Sequence, residues 1–132
     1  MTEPDTHIER LARIAAEVLR VAPDAVVFGS AARGERPNDL DVFVSLSPGS
    51  GEAWKLLEIA RRHYGWLDVF VRAPEGGRLL VRNDWASDWI VARNARSIGQ
   101  AIKRDGLPLM RLDLGRPAEA DMPPSAGPAP GV

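Results

Sequence analysis

The chain has 132 residues, no cysteine and a formal net charge of −1. This length is enough for one domain but hardly for two, and the missing cysteine excludes a disulfide scaffold and a thiolate zinc site. The near-zero charge argues against nonspecific polyanion binding as the main role, because such proteins neutralise many phosphates at once. The N-terminus is acidic and no apolar run approaches the roughly 20 residues of a membrane span, which predicts a soluble, cytoplasmic protein.

The first part of the chain predicts a helix followed by a short buried strand. Thr6 and Glu9 have the spacing of a helical capping box, and apolar residues then recur at helical intervals. Pro23 ends this helix. Residues 25–28 form an apolar run that is typical of a strand buried on both faces, and a glycine and a serine follow it directly.

Two further predicted strands carry acidic residues on one face. In residues 39–46, Asp39 and Asp41 alternate with aliphatic side chains, so both lie on the face opposite the apolar one. In residues 66–72, Asp68 likewise lies opposite an aliphatic face. The sequence therefore predicts three aspartates on corresponding faces of two strands.

The remaining predicted elements are helices and short strands. A helix over residues 53–64 joins the two acidic strands and ends at Gly65. Its apolar stripe consists of Ala53, Leu57, Ala60 and Tyr64. Residues 78–82 predict a short strand, residues 84–105 a last helix, and residues 107–112 a closing strand. The buried stripe of that last helix is predicted to consist of Val91, Ala95, Ile98 and Ile102.

Together these elements predict an α/β domain over residues 1–112, with a small mixed sheet flanked by helices. Residues 113–132 hold five of the eleven prolines and almost no large apolar side chain. That composition is typical of a disordered tail.

The aspartates predict a metal site. An Asp-x-Asp pair at a strand entrance is by itself commonly turn capping, but Asp68 lies within an otherwise apolar run, where an unpaired carboxylate is costly. Like charges raise each other's pKa unless a cation lies between them. Carboxylate oxygens are the ligands that Mg²⁺ takes while it also binds substrate phosphates. We therefore expect Asp39, Asp41 and Asp68 to hold Mg²⁺ or Mn²⁺.

The arrangement of these motifs along the chain resembles a known family. An apolar strand leads into Gly29 and Ser30, a spacer follows, then Asp39-x-Asp41, and Asp68 supplies a third acidic strand residue. This order resembles the minimal nucleotidyltransferases of the DNA polymerase beta superfamily. The similarity covers roughly residues 8–112 and implies a fold like the polymerase beta palm.

The resemblance also implies a role for each motif. Gly29 would allow the nucleotide to approach the backbone closely, and Ser30 with the following amides would hold the triphosphate, as expected of a glycine turn that opens onto a helix N-terminus. Arg33 would add a charge-assisted phosphate contact, or else is a surface arginine. Asp39 and Asp41 would bind the metal that bridges the phosphates. Asp68 would share a second metal and take the proton of the acceptor hydroxyl.

The implied reaction is transfer of a nucleoside monophosphate from a nucleoside triphosphate to a hydroxyl. The resemblance implies ATP as the donor and a tyrosine of a partner protein as the acceptor. Stand-alone domains of this family often act as antitoxins of HEPN-domain ribonuclease toxins, which implies toxin neutralisation by adenylylation.

Two alternatives stay open. The spacer between Ser30 and Asp39 has eight residues, which is shorter than usual in that family. If this short loop is too tight for productive nucleotide geometry, the chain is a non-catalytic module that neutralises or regulates a partner protein by contact. The other alternative is a small-molecule nucleotidyltransferase of the aminoglycoside type, which usually needs an additional helical domain to hold its acceptor.

Other candidate residues are expected to be structural. His7 and His63 lack metal-ligand spacing and are expected at the surface. The tryptophans are expected to make core or partner contacts, although Trp66 could border the nucleotide base. The tryptophans are Trp54, Trp66, Trp85 and Trp89.

Positive charge is concentrated late in the chain. Residues 1–60 have a net charge of −4, whereas residues 61–104 have a net charge of +5. The last predicted helix contributes a polar, basic stripe made of Arg93, Arg96, Gln100, Lys103 and Arg104. This stripe is either an ordinary solvated face or a surface that contacts an acidic partner or RNA. Without interleaved aromatic residues it predicts no nucleic-acid site.

Overall fold

The computed structural model describes residues 6–35, 37–74, 77–82 and 88–114. Within these ranges the chain forms three α-helices and one mixed, six-stranded sheet. The helices are α1 (Thr6–Val21), α2 (Gly51–Arg62) and α3 (Ala95–Asp105). The strands are β1 (Val26–Phe28), β2 (Leu40–Phe43), β3 (Leu67–Arg72), β4 (Leu79–Arg82), β5 (Trp89–Val91) and β6 (Leu107–Pro108). The predicted combination of helices with a small mixed sheet is confirmed.

The strand order β5-β4-β3-β2-β1-β6 places the aspartate-bearing strands β2 and β3 at the centre. These two strands are parallel, and Asp41 lies beside Asp68 in their register. The other neighbouring strands pair antiparallel. The crossover helix α2, which parallel strands require, begins after Ser50, whose hydroxyl accepts the Ala53 N–H at 3.1 Å.

One face of the sheet packs against α1 and α2 and forms the main core. Alternate residues of β2 and β3, such as Val42 and Val69, point to this face and are 0% exposed. They meet Leu11, Ile14 and Val18 of α1 and Leu56, Ile59 and Ala60 of α2. Complete burial of each large aliphatic side chain stabilises the fold by about 1.5–3 kcal/mol, so this face accounts for most of the apolar stabilisation.

The opposite face carries aromatic residues and the aspartates. Phe28 and Phe70 are buried there, with ring centroids 5.4 Å apart, and Phe43 is half-buried beside them. Helix α3 packs on this cluster through Ala95, Ile98, Ala101 and Ile102. None of the residues of α3 is fully buried, so the helix lies against the sheet with only part of its apolar stripe covered.

The structure corrects the prediction of the last helix. Residues 89–91 form β5, which pairs antiparallel with β4, and α3 begins only at Ala95. Val91 is 48% exposed and does not belong to a buried helical stripe. Apolar residues at helical spacing cannot by themselves distinguish a helix from a strand, and pairing with β4 decides in favour of the strand. The beginning of the predicted helix, at residues 84–87, lies outside the described residues.

Two smaller predictions are also wrong. Helix α2 ends at Arg62, so Tyr64 lies beyond the helix and is 64% exposed. Gly65 has φ 84°, which is the left-handed conformation that favours glycine after a helix. The closing strand is only two residues long, because the chain turns into a 3₁₀ helix at Leu109–Arg111.

Some expectations concern parts of the chain that the structure does not describe. The capping box rests on the side chain of Thr6, and the tail is predicted over residues 113–132. The side chain of Thr6 and residues 115–132 of the tail lie outside the described part. None of the described helices combines the length and the apolar character that crossing a bilayer requires.

Candidate metal centre

The sheet brings the three aspartates together. Asp41 lies on β2 and Asp68 beside it on β3, with side chains on the same face because paired residues of neighbouring strands share a face. Asp39 precedes β2 by one residue, two positions before Asp41. One carboxylate oxygen from each of the three residues lies within 4.8 Å of the others. This is close enough for a cation between them to contact all three.

The electrostatics of the cluster favour a bound cation. Burial, together with the charges of Asp39 and Asp68 and a hydrogen bond with Asp68, raises the pKa of Asp41 to about 7. Burial also raises the pKa of Asp39 above its usual range. Three half-buried carboxylates therefore repel one another when they are ionised. A divalent cation bound between them would turn this repulsion into attraction to the cation.

The donor set indicates which cation fits. Three aspartates supply only hard, negatively charged oxygen atoms, which suit Mg²⁺ and Mn²⁺ better than softer metals. Mg²⁺ usually keeps several waters and binds through one or two carboxylates plus substrate phosphates. The cluster therefore fits a metal that shares its coordination sphere with a phosphate ligand.

A glycine turn borders the cluster. Phe28 pairs with Asp41 across β1 and β2, so Gly29 follows directly beside the aspartate. Gly29 has φ 82°, and a Cβ atom at this position would lie 3.1 Å from Asp41 Oδ2. Only glycine combines this backbone conformation with such close approach to the carboxylate.

Ser30 is half-buried and belongs to the turn that follows Gly29. Residues 30–35 form hydrogen-bonded turns rather than the helix expected after Gly29. The bonds that close them run from Arg33 N–H to the Gly29 carbonyl at 3.1 Å, and from Glu35 N–H to the Ser30 carbonyl at 3.1 Å. The amides of residues 30–32 take no part in these bonds. Successive amides in such a turn are a recurring anion-binding arrangement.

Arg33 contacts two carboxylates. Its Nε donates to Glu35 Oε2 at 2.9 Å and its Nη2 to Glu35 Oε1 at 3.1 Å, while its Nη1 donates to Asp105 Oδ2 at 2.9 Å. These bonds use three of the five guanidinium donors. Only two donors of Arg33 remain for the predicted phosphate contact. The positive charge of Arg33 is also already neutralised by the carboxylates of Glu35 and Asp105.

Asp105 joins α3 to the glycine turn. Its side chain is 6% exposed and accepts from Arg33 and also from Arg104 Nε and Nη2, at 2.9 and 2.8 Å. The hydrogen bonds from Arg104 and Arg33 lower the pKa of Asp105 to about 2. Sequence reasoning did not find the partners of Arg33, since Asp105 is 72 positions away and no local pattern connects the two.

The histidines and Trp66 lie elsewhere. Trp66 packs against the α1 side of the sheet, with the His7 ring 4.7 Å away and the Arg10 guanidinium 4.2 Å from its ring centroid. This agrees with core packing rather than with contact to a base. His7 and His63 are half-buried rather than fully exposed: the His7 ring lies against Trp66 at a tilt of 40°, and the His63 side chain is 15% exposed beside Glu17 of α1.

Comparisons of the chain with family models, curated proteins and solved structures find no match. The resemblance to minimal nucleotidyltransferases therefore rests on the sequence motifs alone.

Proposed function

We propose that the protein is a metal-dependent nucleotidyltransferase with a fold of the polymerase beta palm type. The observation that carries this proposal is the cluster of Asp39, Asp41 and Asp68 on one face of the central strands, directly beside the left-handed turn at Gly29. The acidic cluster suits a divalent cation and the turn suits a phosphate. Their close approach is what a metal-bound nucleoside triphosphate requires.

The proposed reaction is an in-line displacement at the α-phosphorus. The acceptor oxygen forms a new bond to that phosphorus, the bond to the β-phosphate oxygen breaks, and pyrophosphate leaves with the bonding electrons. Asp39 and Asp41 would hold the metal, and Asp68 would take the proton of the acceptor hydroxyl. A metal bound there would supply neutralisation of charge on the phosphate oxygens. Gly29 and Ser30 keep the backbone close to the phosphates.

The donor and acceptor follow from the resemblance. We propose ATP as the donor and a protein hydroxyl as the acceptor, by analogy with antitoxins that adenylylate a tyrosine of a HEPN-domain toxin.

The direct test follows the α-phosphate. The protein is incubated with Mg²⁺, the product of the neighbouring gene and ATP radiolabelled at either the α- or the γ-phosphate. We expect transfer of the α-label only. Asp41→Asn should lower the rate at least about a hundredfold, because loss of the metal removes the main stabilisation of negative charge in the transition state. Asp24→Asn is the matched control and should transfer at the wild-type rate. Asp24 is exposed and precedes β1, at the end of the strand opposite Gly29.

Transfer of the γ-label would indicate a kinase instead. Equal transfer by Asp41→Asn and wild type would contradict the assignment of the cluster as the catalytic centre.

One observation favours the second candidate, a non-catalytic module that acts by contact. Arg33 is paired with both Glu35 and Asp105, so a cation expected to face phosphate is already balanced. If the wild-type protein binds its partner tightly but transfers no label with any nucleoside triphosphate, this second function replaces the first.

A further inference from the structure

The outward face of α3, with Arg93 just before it, carries positive charge that the described residues do not balance. The side chains of Arg93, Arg96 and Lys103 are exposed, and within the described ranges none of these side chains forms an ion pair or a hydrogen bond. Arg104, by contrast, pairs with Asp105, the one acid of the helix, whose carboxylate is nearly covered. We call the three unpaired residues Arg93, Arg96 and Lys103 the α3 basic face.

On α2, two of the three basic residues are paired with acids. Arg61 pairs with Glu58, and Arg62 pairs with Glu17 of α1 at 3.1 Å. Acidic and basic residues alternate there, as they do on ordinary solvated helices. Among the described residues, no acid pairs with a side chain of the α3 basic face, so its charge is available to another molecule.

The α3 basic face lies on the aspartate side of the sheet. Helix α3 packs on Phe28 and Phe70, and the ion pair between Asp105 and Arg33 fastens its end to the glycine turn. Ile90 is on the same side, because its register partner Val81 pairs with Phe70. Ile90 is 45% exposed. This side of the sheet thus presents an exposed apolar residue as well as the cations of α3.

We infer that the α3 basic face and Ile90 form a docking surface for an acidic surface of a partner protein. Arg96 and Lys103 are separated by about 10 Å along the helix, which matches carboxylates spread over two turns of a partner helix. An apolar contact surrounded by charged residues is the usual anatomy of a protein interface. This inference goes beyond the proposed reaction, since docking requires neither metal nor nucleotide.

The observations favour a protein over a nucleic acid. Residues 92–106 contain no aromatic side chain, and aromatic residues are the usual stacking platforms for single strands. Exposed Ile90 has no use in binding a phosphate backbone. Docking dominated by exposed charges should associate rapidly and weaken steeply with salt.

The test uses defined peptides with the full-length protein, without metal or ATP. One labelled helical peptide carries glutamates at i, i+4, i+7 and i+11 on one face, and its control carries glutamines there. The variant pair is Arg96→Glu/Lys103→Glu on the α3 basic face and Arg20→Glu/Lys55→Glu on the exposed surface of α1 and α2. Both pairs change the net charge equally and replace exposed residues, and circular dichroism verifies that each variant is folded.

We expect the glutamate peptide to bind wild type at least about tenfold more tightly than the glutamine peptide at low salt, a difference of about 1.4 kcal/mol. Arg96→Glu/Lys103→Glu should abolish this preference, and Arg20→Glu/Lys55→Glu should keep it. Asp41→Asn should also keep it, so a failed transfer reaction does not affect the result.

Three outcomes would overturn the inference. These are no preference for the glutamate peptide, equal loss in both charge-reversed variants, and tighter binding of an oligonucleotide with the same number of negative charges. The last result would assign the surface to nucleic acid.

Discussion

The two faces of the central strands differ in what their side chains do. On the face toward α1 and α2, Leu40, Val42 and Val69 are 0% exposed and pack among aliphatic neighbours. On the other face, Asp41 and Asp68 lie half-buried beside Phe43, and α3 covers this side without burying any of its own residues completely. Because successive residues alternate between faces, one short strand can contribute to stability and to the candidate site at once.

The largest expected effect is on the aliphatic face. Leu40→Ala removes a fully buried side chain between two of the aspartates, and should lower the free energy of unfolding by about 2–5 kcal/mol. Urea denaturation measures this loss. At a temperature where the variant is folded, its Mn²⁺ affinity should stay within about threefold of wild type, a difference below about 0.7 kcal/mol. A loss of stability below about 1 kcal/mol would show that the aliphatic face is not the main source of the stability of the fold.

The acidic face should respond to pH in the opposite sense to an ordinary carboxylate. The pKa of Asp41 is about 7 in the folded protein and near 3.9 in the unfolded chain. Between these values the folded protein holds a proton that the unfolded chain has lost, so stability falls as pH rises from about 4 to 7 and then levels off. The change amounts to up to about 4 kcal/mol. Asp105 does not titrate in this window, because its pKa lies near 2.

Urea denaturation in EDTA across this pH range tests the effect. Asp41→Asn should be more stable than wild type above pH 7, with the difference shrinking toward pH 4. Asp24→Asn, at an exposed position, serves as the control and should follow the wild-type profile. A constant difference between Asp41→Asn and wild type at all pH values would rule out titration of this carboxylate as the cause.

A bound divalent cation should offset the loss of stability that ionisation of the aspartates causes. At a Mn²⁺ concentration a hundred times the dissociation constant, binding to the folded protein should stabilise it by about 2.7 kcal/mol. Thermal unfolding at pH 8, with and without Mn²⁺, measures this gain. Asp41→Asn should lose most of it. An equal gain in wild type and Asp41→Asn would show that the ion binds elsewhere.

The aspartate cluster could be predicted from the sequence, whereas the surroundings of Arg33 could not. The alternation of Asp39 and Asp41 with aliphatic residues, repeated around Asp68, follows from the two-residue period of a strand, and the structure brings these side chains together. One of the two partners of Arg33, Asp105, depends on where α3 ends in space, 72 positions later. The apolar spacing of residues 89–91 predicts a helix wrongly, because pairing with β4 is a long-range property.

The smallest expected effect separates two glycines in the same turn. Gly29 and Gly34 have φ 82° and 80°, so alanine at either position meets the same conformational penalty of about 1–2 kcal/mol. Only at Gly29 would the new Cβ lie 3.1 Å from Asp41 Oδ2, whereas at Gly34 nothing lies within 4 Å. Because the conformational penalty is the same at both glycines, Gly29→Ala and Gly34→Ala should lose similar stability.

Their metal affinities should differ. Gly29→Ala should weaken Mn²⁺ binding by several-fold, since Asp41 must move by a few tenths of an ångström, and Gly34→Ala should leave it unchanged. Titration calorimetry at matched folded fractions compares the two variants. Equal affinities would mean that Asp41 can move without cost to the cluster. The tight approach of β1 to β2 would then not position the carboxylate, and Gly29 would serve only the conformation of the turn.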